Sequence, residues 1–154
     1  MKTKLVGAIA TAACLAAMPL AAAPQVRGDV PVITPLADYA ERNGTDDKAS
    51  QRFIFNRCTS LHIFAASIAK DREKSLYEHH EIEGARFLKE AKAVSDRHEV
   101  MIMQLQRMAT AYKVRSDAYA GGTDPLVDPF IVAEMSFCDE TLRRRPSRSA
   151  TPTN

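Results

Sequence analysis

The side chains best suited to chemistry in this chain are its four histidines and three cysteines, and their spacing limits what they can do. His79 and His80 are adjacent and flanked by Glu78, Glu81 and Glu83, a mixture of imidazole and carboxylate that suits zinc or copper. Neighbouring side chains on a helix point roughly 100° apart, so one turn cannot aim both rings at one ion. His80 can pair with Glu83 at i+3, but it needs further ligands from another helix. A solvated polar end of a bundle is the plainer reading of this cluster. His98 falls between Val94 and Met101 on an apolar repeat, which reads as a buried, neutral imidazole with one hydrogen-bond partner and a pKa lowered by desolvation. With Met101 and His62 it is also the candidate for a soft-metal or haem pocket. The metal candidates are therefore His98, Met101, His62, His79 and His80, and no cofactor is expected.

Other chemistries find less support. The chain has no Cys-x-x-Cys-His for covalent haem. Met101, Met108 and Met135 sit at helical spacing and read as core filling, with Met103 off the seam. Ser60, Ser67, Ser75, Ser95, Ser116 and Ser136 all fall in expected helices without the glycine frame of a nucleophile elbow. The carboxylates are expected on wet faces. Gly121-Gly122 has no phosphate-loop lysine after it, and the Arg143–Arg148 run reads as a solvated helix end. An enzyme is not expected.

The elements that would position these groups are helical. Tyr77, His80, Gly84, Phe87, Ala91, Val94, His98, Met101, Leu105, Met108 and Tyr112 step by threes and fours, one helical seam turned inward. Leu88, Ile102 and Ala109 widen that seam. An earlier helix from a Thr45 cap to about Lys70 carries Ile54, Cys58, Leu61, Ala65 and Ile68, widened by Phe53, Phe64 and Ala69. A last helix starts with Asp128 as cap and Pro129 at its first position. It presents Phe130, Ile131, Met135, Cys138 and Leu142, with Val127 and Val132 spaced to staple its start.

The ends of the chain read differently. Met1 to Lys4 is basic, Leu5 to Leu20 is apolar apart from Thr11, and Ala21-Ala22-Ala23 offers a cleavage site. Residues 1–22 are thus expected to be a signal peptide, removed to leave no integral membrane segment. The mature chain then balances nineteen basic against nineteen acidic side chains, so no general attraction to nucleic acid is expected. Residues 23–44 read as an extended arm, with a helical turn or two from Leu36. Val30, Val32 and Ile33 are placed to lie on the bundle. Residues 45–145 form the bundle domain and 146–154 a disordered tail.

Export leaves Cys58 and Cys138, an even pair in an oxidising compartment, and one disulfide between the first and last helices is expected. It tests the architecture. If the central helix ran unbroken from Glu73 to Tyr119, straight neighbours would hold the two cysteines roughly 40 Å apart, at ~1.5 Å per residue. A break near Ser95-Asp96 brings them level. So does a return of the chain after Val114. The absence of glycine and proline from Ala91 to Val100 favours the unbroken helix. The expected fold is therefore all-α, a small antiparallel bundle of three long helices, or four if the chain breaks near Ser95.

Nothing here names a ligand. The function expected is that of an exported, non-enzymatic helical protein, periplasmic or secreted, acting in the cell envelope through a protein partner or as an accessory factor. A periplasmic metal- or cofactor-binding bundle is the alternative. An apolar patch of Leu105, Met108 and Tyr112 would favour a homodimer.

Overall fold

The computed structural model describes residues 32–119 and 124–145. Five α-helices appear among them and no strand: α1 Leu36–Asn43, α2 Lys48–Ala69, α3 Lys74–Val94, α4 His98–Ala118 and α5 Pro129–Arg143, the last preceded by a 3-10 turn at Pro125–Val127. The proposed leader, the Gly121-Gly122 stop and the tail lie outside the described residues.

The hub is α2. All the other helices pack against it, and every residue from Ile54 to His62 is buried. A helix apolar on one stripe needs one neighbour; a helix buried all round must be enclosed. α3 runs back along α2, placing Phe87 against Phe55 and Gly84 against His62. α4 returns parallel to α2, with Lys48 meeting Asp96 at one end and Phe64 stacking on Tyr112 further along. α5 descends antiparallel, carrying Cys138 to Cys58.

The central stretch is broken, against the expectation of one long helix. α3 ends at Val94, Ser95 is extended, Arg97 is non-helical, and α4 begins at His98. Tertiary packing sets this break, since α4 buries Met101, Leu105 and Tyr112 only by returning beside α2. The break also brings the cysteines level. Cys58 and Cys138 form a disulfide with their Cα atoms 5.7 Å apart, joining the first and last long helices as expected.

Several caps and edges differ from the sequence reading. Asp47, not Thr45, caps α2, accepting from the N–H groups of Ala49 and Ser50 at 2.9 and 3.0 Å. Gly44 intervenes with φ of +75°, a conformation open to glycine, and its N–H closes α1 onto the Ala40 carbonyl. The Asp128 cap is as expected, accepting from the Phe130 N–H at 2.9 Å. Its proposed staple is not, because Val127 and Val132 are both exposed. Ile102 is likewise exposed rather than widening the seam. The arm joins the bundle through fully buried Leu36 and half-buried Ile33, while Val32 points away.

Candidate functional site

Three polar constellations stand out, and the first is structural. Arg57 of α2 and Glu134 of α5 form an ion pair with both side chains buried. The Tyr112 hydroxyl accepts from Arg57 Nε at 2.9 Å and donates to Glu134 Oε2 at 2.6 Å. Arg57 Nη1 also donates to the Thr34 carbonyl at 3.0 Å, and Glu134 Oε1 accepts the Leu36 N–H at 2.6 Å. Burial first, then the charge of Glu134, raises the pKa of Tyr112 and keeps it protonated. A buried charge is tolerable when paired and hydrogen-bonded, and this network satisfies both ions while tying the arm to α2, α4 and α5. Glu134 therefore departs from the expectation that the carboxylates lie on wet faces. So does Asp128, which is buried beside Arg115 at 3.3 Å, the guanidinium stacking on Phe130.

The second holds two of the predicted histidines. His62 and His80 approach Nδ1 to Nδ1 at 3.1 Å, with His62 stacked on Phe87 and His79 edge-on to His80. His62 Nε2 is buried without a partner. An orphaned N–H costs more than an orphaned lone pair, so His62 carries its proton on Nδ1 and donates to His80. Burial, reinforced by the neighbouring rings of His80 and His79, lowers the pKa of His62 to about 4. His80 is lowered too, again chiefly by burial, with Asp139 opposing.

The remaining predicted residues do not join them. His79 is exposed. His98 is exposed as the first residue of α4, not buried on a seam, because the break leaves it at a helix start outside the packed face. Lys48 pairs with Asp96 at that end, so His98 lies roughly 20 Å along the bundle from His62 at ~1.5 Å per residue. Met101 is core. Among the described residues no three His, Cys, Asp or Glu side chains converge as metal ligands. The patch proposed for dimerisation is also gone: Leu105 and Tyr112 are buried and Met108 is half-buried.

The third constellation was not legible as a site. A groove of about 500 Å³ opens between α2 and α4 beside α1. Tyr39 and Phe53 stack at 3.9 Å to form its aromatic wall, and Met108 adds an apolar floor. Arg52 and Arg107 line it from α2 and α4, both exposed. Neither forms an ion pair among the described residues; Arg52 helps lower the pKa of Asp96, after Lys48, without touching it. Asn56 is 9% exposed and donates to Gln104 at 3.3 Å, while its Oδ1 has no partner. Apolar walls with a few unspent polar groups are the general form of a ligand site. Compared with known protein families, curated proteins and solved structures, the chain matches none.

Proposed function

We propose that this is an exported, non-enzymatic helical protein of the cell envelope, working through a protein partner held at the α2–α4 groove. The observation that carries the reading is the pair of unspent arginines beside the Tyr39–Phe53 stack. Elsewhere the buried charges are occupied with one another. Arg57, Tyr112 and Glu134 exchange hydrogen bonds in a closed set, which suits a scaffold better than a reaction centre. The Cys58–Cys138 disulfide suits an oxidising compartment, and among the described residues no helix is long and apolar enough to cross a membrane.

Site-specific photo-crosslinking in the envelope of a Gram-negative host tests this. Probes at Gln104 and Met108, which line the groove, should trap a protein of defined mass, and a probe at Lys89 on α3 should not. Equal trapping from all three positions, or none from any, defeats the proposal.

A second reading rests on the approach of His62 and His80. Two imidazole nitrogens so close offer half of a tetrahedral zinc or copper site once the proton between them moves to His62 Nε2, in keeping with a periplasmic metal-binding bundle. Titration calorimetry with zinc and copper decides it, because His62→Leu should abolish any heat that the wild type shows.

A further inference from the structure

We propose that the α2–α4 groove binds the free C-terminal carboxylate of a partner polypeptide whose last residue is apolar; this rests on the groove being the partner site. Three features of the groove select that chemistry together. The first is charge. Arg52 and Arg107 lie on facing helices and are both without an ion pair among the described residues. Two guanidinium groups lining one groove favour a carboxylate, which accepts the N–H donors of a guanidinium in a planar fork.

The second is the apolar lining. Tyr39, Phe53 and Met108 give a wall and floor that a terminal aliphatic or aromatic side chain would cover. At about 500 Å³ the groove falls in the range of small-ligand sites, far below what a folded domain would need. Arg57 closes the inner side, with each of its three nitrogens donating to Tyr112, Glu134 or Thr34. Its charge is paired with Glu134 in the core, so it shapes the groove and brings no unpaired charge to it.

The third is an unused acceptor. Asn56 Oδ1 is buried and unpartnered, and Asn56 is held by Gln104, itself exposed on the groove's edge. A buried acceptor without a donor is unusual in a folded protein. Displacement of Gln104 opens Asn56 to an N–H, and a peptide supplies one at the amide of its last residue, one bond set away from the carboxylate. A fatty acid has the anion and the apolar body but lacks this donor. The peptide C-terminus supplies all three.

The test uses the full exported chain and dye-labelled hexapeptides ending in Leu or Phe, read by fluorescence anisotropy. The free acid should bind about tenfold or more tightly than the same peptide with a C-terminal amide, the effect of losing a charge-assisted contact. Arg52→Ala with Arg107→Ala should erase that preference while leaving the melting temperature unchanged, since both side chains are exposed. Asn56→Leu should weaken the acid and the amide alike. Equal binding of acid and amide, or a preference that survives loss of both arginines, overturns the assignment. Displacement of the peptide by a medium-chain fatty acid with tighter affinity overturns it in favour of a lipid. Failure here with groove-confined crosslinking intact refutes only the carboxylate chemistry; loss of the crosslinks refutes the partner reading itself.

Discussion

Tyr112 Oη lies 2.6 Å from Glu134 Oε2, and both side chains are cut off from solvent. That contact is the centre of the network that also holds Arg57, and it places a carboxylate and a guanidinium in the core of a small protein. Removing one member leaves the other charge buried without its partner. Breaking such a pair costs about 3–5 kcal/mol. Glu134→Ala should lose about that much in urea denaturation. Tyr112→Phe should lose less, about 2–3 kcal/mol, because its hydroxyl's two hydrogen bonds to charged groups go while Arg57 and Glu134 keep each other. The combined Arg57→Met, Glu134→Leu variant should be more stable than Glu134→Ala alone, because it removes the stranded charge.

The network was half legible in the sequence. Ile54, Arg57 and Leu61 step three and four, and so do Ile131, Glu134 and Cys138. Opposite charges at seam positions on two helices joined by a disulfide announce a buried pair, but a seam read only for apolar residues passes over them. The helices and most of the core seam followed from periodicity, and the disulfide from the even pair of cysteines that the expected export leaves. The break at Ser95 did not, because no local residue demands it and the reason lies in where α4 must pack. His98 was misplaced by the same cause: the repeat keeps its phase through the break while the backbone does not. The groove was illegible for another reason. Its residues come from α1, α2 and α4, and only the tertiary fold puts Tyr39 on Phe53.

Acid sensitivity, expected of His98 from its seam position, belongs to His62. Its folded pKa of about 4 lies below the ordinary value of 6.5, so the folded state refuses a proton that the unfolded chain accepts. The stabilisation is complete above pH 6.5 and is lost as pH falls from there towards 4, where the folded state also protonates. The full loss is about 3 kcal/mol by linkage. Melting temperatures at pH 7.5 and 4.5 should diverge for the wild type and converge substantially in His62→Leu. Replacing His98 by leucine should leave the difference untouched. An equal fall in wild type and His62→Leu would place the titrating group elsewhere.

The disulfide closes a separation of 80 residues, which by the chain-entropy estimate contributes about 4 kcal/mol. Cys58→Ala with Cys138→Ala should therefore lower the urea midpoint sharply and steepen the slope, because the unlinked chain exposes more surface on unfolding. Intact mass of the non-reduced protein exported from a Gram-negative host should show the two residues linked within one chain. Quantitative alkylation of both thiols without reductant would contradict both the bond and the exported location.

At Gly84, α3 packs tightly against α2. A Cβ placed there would meet the Cβ of His62 at 3.2 Å, tighter than ordinary contact but within reach of a small adjustment. Two effects compete in Gly84→Ala. The helix gains about 1 kcal/mol from replacing glycine in its interior, and α3 must move outward by a few tenths of an ångström. The two should nearly cancel, giving a stability close to wild type. A larger side chain admits no such balance. Gly84→Leu inserts further methylenes against a ring stacked on Phe87, and overpacking of this kind costs about 1–3 kcal/mol. It should also part the two histidines, because His80 lies one turn before Gly84 on the same face. The imidazole of His62 then gains water, and its pKa should move back towards 6.5. Proton NMR titration of the histidine ring signals reads this directly. A destabilised Gly84→Leu protein whose His62 still titrates near pH 4 would show that glycine sets the helix separation but not the histidine contact.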